Sequence, residues 1–258
     1  VNIRYLLSQR DYLKGISKEL AHLVQASLSG YLEKWRAKLA TDIDKINALE
    51  KGQPFFQDLI EFLIELGSEK EALVVSETAR ARAFADLLAG RPDIQSNLGK
   101  SFTRNSELLS PRSVPPITMK DILEFVQQSQ SMVIEYFLTD NYLAIWLIYP
   151  SGKIETFVSP VSKKELQKIA TQFLEHVESQ EPSIEALSNI LRSLHTHLIE
   201  PIPSKLLPNS PEETITIVPH GFLFRIPFGA LKDREGKYLI EEHAIAYSAS
   251  IAILNYTH

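Results

Sequence analysis

The sequence predicts an α/β protein, with a helical amino-terminal region followed by a layered domain of strands and helices. From Arg10 to Leu49, apolar residues recur at steps of three and four, as they do along one face of a helix. From about residue 117 onward, β-branched and aromatic runs alternate with helical patterns. Such alternation is typical of a sheet covered by helices.

The amino-terminal region, residues 1–92, is predicted to be helical throughout. Its clearest unit runs from Pro54 to Leu88, where a Gly67-Ser68 turn separates two helical patterns. Ser68 is expected to cap the second helix, with Glu71 at the capping-box position. The unit is about 35 residues long, near the period of tetratricopeptide repeats. No second copy matches it well, so an array is suggested rather than established.

Residues 93–116 are predicted to be a linker, because asparagine, glycine, serine and proline are frequent there and no apolar period continues. Thr118 is expected to cap a helix that continues through Ser129. Asp121 at the third helical position favours the same start, because a carboxylate interacts well with the positive end of the helix dipole.

Three antiparallel strands are predicted next. Met132–Leu138 and Tyr142–Tyr149 are joined by a short polar connection, residues 139–141, and a turn then leads into Ile154–Val158. The near-continuous apolarity of the second strand indicates burial on both of its faces. Two helices are expected to follow, Lys163–Ser179 capped by Ser162, and Ser183–Leu198.

Composition excludes several classes of function. The formal net charge of -5 gives no basic surface for nucleic acid, and no apolar run approaches the roughly 20 residues of a membrane helix. The first residues are too polar for a signal peptide. A soluble, cytoplasmic protein is therefore expected. The chain has no cysteine, which excludes disulfides, thiolate metal ligands and a cysteine nucleophile within it.

Catalytic chemistry cannot be derived from the remaining residues. His195 and His197 lie two apart on a predicted helix and therefore face different sides, so they do not form a metal site. The chain contains no phosphate-binding, dinucleotide-binding or nucleophile-elbow motif, and no carboxylate pair has a distinctive spacing. The expectation is therefore no metal and no cofactor.

The segment from Ile215 to Ser250 carries a specific resemblance. It contains Ile-Thr-Ile-Val-Pro-His-Gly, then Ile-Pro-Phe-Gly-Ala-Leu, then Lys-Tyr-Leu-Ile, and finally Tyr-Ser-Ala-Ser. This series resembles the opening part of a CHAT domain, the caspase-like domain associated with tetratricopeptide repeats. The resemblance extends over roughly residues 54–254, weakly in the repeats. The residues that match the family pattern are Pro219, Gly221, Pro227, Phe228, Leu231, Tyr238 and Ser250.

Two positions depart from the family pattern. His220 stands where the family usually has aspartate, and Ala249 where it often has proline. The family's catalytic histidine comes later, so His220 is read as a turn residue. The flanking Pro219 and Gly221 suit the end of a strand, and Pro227 suits an edge or loop because proline cannot donate to a ladder. Tyr238 is expected in the next hairpin.

The resemblance implies a cysteine peptidase, in which a histidine base activates a thiolate and backbone amides stabilise the oxyanion. Because this chain has no cysteine, none of its residues is predicted to be catalytic and it should be inactive alone. Residues 117–258 are interpreted as the incomplete first part of a CHAT domain in a protease that also has repeats. The helical region would regulate it or bind a partner.

Two other functions stay open. The CHAT-like part could belong to a non-catalytic interaction scaffold or pseudoprotease, or the chain could be a self-contained α+β binding domain. The expected partner is a protein or the remaining carboxy-terminal part of the CHAT domain. An incomplete sheet leaves an open edge, so an oligomer is also possible.

Overall fold

The computed structural model describes residues 56–89, 117–210 and 212–254. The predicted helices between Arg10 and Leu49 and the predicted linker, residues 93–116, lie outside these ranges. The described residues fall into two units, one within residues 1–122 and the other within residues 123–258, and each is described separately. In the described ranges, no helix is both long and apolar enough to cross a membrane.

In the first unit, a helical hairpin spans the region of the predicted repeat. Residues 56–65 form α1, and α2 runs from Glu69 to Ala89. Gly67 has a φ of 69°, the left-handed conformation that commonly ends a helix, and Ser68 takes the position before α2. Apolar residues of both helices are buried, including Leu59, Ile60, Leu63, Ala72 and Leu73. The predicted helix-turn-helix is therefore confirmed.

Helix α3 (Met119–Ser129) begins as the sequence predicts. The backbone N–H of Thr118 donates to Oδ2 of Asp121 at 2.7 Å, and the N–H of Asp121 donates to Oγ1 of Thr118 at 3.2 Å. Each side chain thus satisfies one backbone donor at the helix start.

The second unit is built on one five-stranded sheet in the order β3-β2-β1-β4-β5. Strand β1 pairs antiparallel with β2, which pairs antiparallel with β3, so the three predicted antiparallel strands are confirmed. Strands β4 and β5 continue the sheet on the other side of β1, both parallel to it. The strands are β1 Met132–Leu138, β2 Leu143–Ile148, β3 Ile154–Ser159, β4 Thr214–Val218 and β5 Ala244–Tyr247.

Every residue of β2 is buried, as its apolar run predicts. One face of the sheet packs against α4 (Lys163–Glu178) and α5 (Ile184–Leu198). The predicted cap Ser162 accepts a hydrogen bond from the N–H of Glu165 at 3.2 Å. Both helices lie in the connection between β3 and β4, which returns the chain so that β4 can run parallel to β1. The predicted α/β class is confirmed.

Short elements complete the second unit. Three 3₁₀ segments cover Ser204–Leu206, Gly221–Arg225 and Phe228–Ala230. Helix α6 (Leu239–Glu242) leads into β5, and α7 (Ile251–Leu254) follows it. Most residues of the family pattern therefore lie in the connection between β4 and β5.

Candidate functional site

The candidate site is the edge of the sheet where the parallel strands β1, β4 and β5 end, called here the carboxyl edge. Ligands of open α/β sheets bind outside the carboxyl ends of parallel strands. The segments that form this edge are Leu138 at the end of β1, residues 219–221 after β4 and residues 248–250 after β5.

His220 joins two of these strand ends. The backbone N–H of Leu138 donates to Nδ1 of His220 at 3.1 Å, and the imidazole stacks on Phe137 with 4.2 Å between ring centroids and 22° between planes. A nitrogen that accepts a hydrogen bond carries no proton, so Nδ1 acts as the acceptor of the ring in this contact. The side chain thereby continues the attachment of β4 to β1 beyond the last ladder residue.

The turn around His220 depends on its neighbours. Pro219 is buried directly after β4 and has no N–H to donate. Gly221 has a φ of 57°, a left-handed conformation that costs glycine little and other residues more. It begins the 3₁₀ segment Gly221–Arg225. This sharp change of direction carries the chain away from the sheet at the carboxyl edge.

Phe228 and Leu231 are fully buried, whereas Pro227, which precedes the same 3₁₀ segment, is exposed in the loop. The Phe228 ring lies 5.1 Å from that of Tyr136 on β1 and 6.2 Å from that of Tyr247 on β5, measured between centroids. This aromatic contact links the two strands that flank β4. Phe228 therefore holds the connection between β4 and β5 against the sheet.

Tyr136 is a buried hydrogen-bond donor, and its hydroxyl donates to the carbonyl of Leu198 at the end of α5, at 2.9 Å. Burial raises the pKa of Tyr136 well above its ordinary value, and Tyr247 adds to the rise. The phenol therefore stays neutral. The hydrogen bond of Tyr136 ties α5 to the centre of the sheet. The buried hydroxyl is not placed to exchange protons with a ligand.

Tyr238 lies in a short antiparallel hairpin, as expected, although this hairpin contains no regular strand. It makes a single antiparallel bridge with Lys232, and Leu239 already begins α6. The N–H of Tyr238 donates to Oε2 of Glu241 at 2.6 Å, an interaction that favours the helix start over a longer strand. Nζ of Lys232 lies 4.9 Å from the Tyr238 ring centroid and donates to Oγ of Ser188 at 3.2 Å.

The loop between Lys232 and Tyr238 is also attached to the residues that directly follow α5. Arg234 donates from Nε and Nη2 to the two carboxylate oxygens of Glu200, at 3.0 and 2.7 Å. This bidentate contact lowers the pKa of Glu200. Nδ1 of His195 lies 3.8 Å from Oε1 of Glu200, yet burial lowers the pKa of His195 more than the carboxylate raises it. His195 is therefore neutral at pH 7.

Metal binding has no support among the residues described. No group of three or more histidine, aspartate and glutamate side chains within these ranges could hold a metal ion. His195 faces Glu200, and His197 makes no comparable contact.

The segment after β5 contains two serines. The N–H of Ser248 donates to the carbonyl of Ile217 at 2.9 Å, and its hydroxyl donates to the carbonyl of Ser250 at 2.7 Å. Ser250 is only 1% exposed, and its Oγ has no hydrogen-bond partner. Neither hydroxyl is bonded to His220, so this part of the chain does not assemble a nucleophile with its base.

A cavity of about 380 Å³ lies at the opposite edge, near the amino ends of β1 and β4. Lys153 and Lys205 line it together with Tyr149, and Lys153 is paired with Glu155 at 2.7 Å. No histidine or serine lines this cavity. The carboxyl edge is therefore the better candidate for chemistry.

Sequence reasoning missed Tyr136 and the acceptor role of His220. A signal for Tyr136 was available, because strand alternation puts Ile134, Tyr136 and Leu138 on one face. No comparable signal existed for the contact of His220 with Leu138, which joins positions 82 residues apart.

Comparison with known proteins agrees with the resemblance found in the sequence. Residues 188–258 match the model of the CHAT domain. The chain is 34% identical to mouse Tetratricopeptide repeat protein 28 and 33% identical to the human protein of the same name, in each case over 156 residues. These alignments cover 60% of this chain and 6% of each relative, so the chain spans a small part of their length.

Proposed function

The chain carries a CHAT domain at residues 188–258, and from this premise we propose that it is part of a caspase-like cysteine protease with tetratricopeptide repeats. The match to this domain, which includes β4, β5 and the segments 219–221 and 248–250 at the carboxyl edge, is the observation that carries the proposal. The relatives named as tetratricopeptide repeat proteins support the repeat component.

The proposed division of labour follows the chain. Residues 1–92 form a helical, repeat-like region that regulates the protease or binds a protein partner, and residues 93–116 form a linker. Residues 117–258 supply the first part of the protease fold. The helical hairpin of α1 and α2 supports the first assignment, because stacked helical pairs are the units of such repeats.

The nucleophile and its base lie outside these residues. The chain has no cysteine, and His220 has Nδ1 occupied by the N–H of Leu138. Its residues therefore act as scaffold, with Pro219, Gly221 and Ser250 at the carboxyl edge and Pro227, Phe228, Leu231 and Tyr238 in the connection between β4 and β5. The proposal includes a cytoplasmic location, because a catalytic thiol stays reduced there.

The proposal is tested with a polypeptide extended through the rest of the CHAT domain. It should cleave an unstructured protein, and iodoacetamide should abolish the cleavage, whereas residues 1–258 alone should cleave nothing. Because residues 1–258 contain no cysteine, every alkylated thiol lies in the added part. Treating residues 1–258 alone with iodoacetamide therefore shows whether the reagent damages the scaffold without reacting with a thiol.

The competing function is a non-catalytic scaffold. Neither His220 nor Ser250 has a catalytic geometry, as both functions expect, so the extended polypeptide is needed to separate them. Absence of cleavage by the folded, extended polypeptide would support this function. Cleavage that survives alkylation would contradict a thiol mechanism.

A further inference from the structure

The cavity of about 380 Å³ near the amino ends of β1 and β4 has walls that are fixed by hydrogen bonds. One wall is the turn between β2 and β3, where the N–H of Tyr149 donates to the carbonyl of Lys153 at 2.9 Å and Gly152 has a φ of 84°. The other wall includes the 3₁₀ segment Ser204–Leu206. The Tyr149 hydroxyl joins the two walls by donating to the carbonyl of Leu206 at 2.8 Å. The cavity is therefore formed before a ligand binds, as small-molecule sites commonly are.

The volume and the apolar lining of this cavity suit a small ligand with an apolar body. Cavities that bind small molecules typically measure about 300–1,000 Å³. Met132 belongs to the hydrophobic core, and Tyr149, Leu206 and Leu207 pack against that core. An apolar group bound beside these side chains leaves water, which favours binding. The buried and half-buried apolar residues of the lining are Met132, Tyr149, Pro150, Leu206, Leu207 and Pro208.

Charged side chains of both signs also line the cavity. Lys153 and Lys205 are basic, and Glu213 is acidic. Lys153 is already paired with Glu155, with 2.7 Å between Nζ and Oε1. Within the described ranges, the side chains of Lys205 and Glu213 form no hydrogen bond or ion pair, either with each other or with another residue. One ammonium group and one carboxylate of the lining are therefore available to a ligand.

This balance of charge distinguishes between classes of ligand. An anion such as phosphate would be attracted by Lys205 but repelled by Glu213 in the same cavity. A cation would meet the opposite pair of effects. A zwitterion can pair with both side chains, and hydrogen bonds between charged groups are the stronger ones. The lining thus fits a ligand that carries both charges on an apolar body.

Two amide side chains complete the polar lining, those of Gln130 and Asn209. Gln130 has a φ of 52°, and its Nε2 donates to the carbonyl of Gln127 at 2.5 Å. This bond fixes the Gln130 side chain and leaves its Oε1 as an acceptor. The Asn209 side chain forms no hydrogen bond in the part of the chain that the structure describes. Amide groups of this kind can bond the N–H and C=O of a peptide group.

We propose that this cavity binds a dipeptide-sized zwitterion with apolar side chains. Its carboxylate pairs with Lys205, its ammonium group pairs with Glu213, and its peptide group bonds the amides of Gln130 and Asn209. The side chains of the ligand pack on Tyr149 and its apolar neighbours. This site is independent of the proposed protease, because it needs no cysteine and lies at the opposite edge of the sheet.

A titration of isotope-labelled residues 1–258 with leucyl-leucine tests the proposal by nuclear magnetic resonance. The amide signals of Tyr149, Leu206 and Thr214 should shift and saturate, whereas that of His220 at the carboxyl edge should not shift. N-acetylated leucyl-leucine lacks the ammonium group, and leucyl-leucine amide lacks the carboxylate. Each should bind at least about tenfold more weakly, because it loses one charged hydrogen bond. Unchanged affinity of either blocked form, or no saturable shift at the cavity, would overturn the proposal.

Two substitutions assign the charges of the ligand to their partners. Lys205→Met should weaken the binding of leucyl-leucine at least about tenfold but leave that of its amide unchanged, since the amide has no carboxylate to pair. Glu213→Gln should likewise weaken leucyl-leucine and leave the acetylated form unchanged. Both side chains are exposed, so both variants should fold, and the retained binding of a blocked form checks this. Lys168→Met and Glu175→Gln at exposed positions of α4 are the matched controls.

The same variants give the results that would contradict the proposed pairing. Equal weakening of leucyl-leucine and its amide by Lys205→Met would show that Lys205 does not pair with the carboxylate. Tighter binding of inorganic phosphate than of leucyl-leucine would overturn the zwitterionic ligand and assign the cavity to anions. Equal effects of the substitutions at the cavity and on α4 would reduce the contribution of Lys205 and Glu213 to one of overall charge, which also contradicts the proposal.

Discussion

Leu138, the last residue of β1, donates its backbone N–H to Nδ1 of His220, the second residue after β4, at 3.1 Å. The bond fastens two parallel strands where their backbone ladder has ended. It also defines what the histidine at this position does, namely accept a hydrogen bond. The CHAT pattern that this segment resembles usually has aspartate there, and a carboxylate can accept the same bond.

His220→Ala should lower the free energy of unfolding by about 1–3 kcal/mol, because the N–H of Leu138 then loses its acceptor. His220→Asn should recover much of this loss, since its Oδ1 can take the place of Nδ1. Urea denaturation measures both, with His197→Ala on α5 as the control. An asparagine variant as unstable as the alanine variant would show that stacking on Phe137 matters more than the hydrogen bond.

Tyr136→Phe should lower the free energy of unfolding by about 1 kcal/mol, because the buried carbonyl of Leu198 loses its donor. Tyr149→Phe is the matched control. Its hydroxyl donates to the carbonyl of Leu206 at 2.8 Å, but Tyr149 is partly exposed, so water can replace it. Equal losses in the two variants would contradict the role of burial.

Gly221→Ala should lower the free energy of unfolding by about 1–2 kcal/mol, because its φ of 57° lies in the left-handed region that a Cβ disfavours. Space is not the cause, since an added Cβ would meet Leu138 Cδ1 at an ordinary 3.7 Å. Gly221→Asn should cost less, because asparagine tolerates this conformation. Thermal denaturation of both variants checks the order. The conformational explanation fails if the asparagine variant is the less stable one.

Stability should fall as the pH is lowered from about 7 to about 5.5, because burial lowers the pKa of both His195 and His243 in the folded protein. In the unfolded chain these rings take up protons near the ordinary value of 6.5. The unfolded state then binds more protons than the folded state, which favours unfolding. The carboxylate of Glu200 opposes the effect of burial on His195. The net fall in the pKa of His195 is therefore smaller than burial alone would cause.

The measurement is urea denaturation at both pH values for the wild type and His195→Gln. The variant should show a smaller loss of stability between them, and His197→Gln on the same helix controls for the substitution itself. The carboxylates Glu200 and Asp233 also have lowered pKa values, but their effects begin at lower pH. An unchanged difference in His195→Gln would remove His195 as a cause.

The sequence by itself determined the local elements, because their signals lie within a few residues of one another. The pairing of Thr118 with Asp121, the cap at Ser162 and the apolar run of β2 each predict an element that the structure contains. The lack of cysteine likewise excluded a thiol nucleophile directly.

Tertiary structure decided what depends on contacts between distant segments. The sequence could not assign β4 as the neighbour of β1, nor the hydroxyl of Tyr136 to the carbonyl of Leu198, because strand patterns specify a buried face and not a partner. The bond between Leu138 and His220 has the same origin. It forms only when a crossover containing two helices brings the ends of β1 and β4 to one edge, and no local residue pattern encodes that meeting.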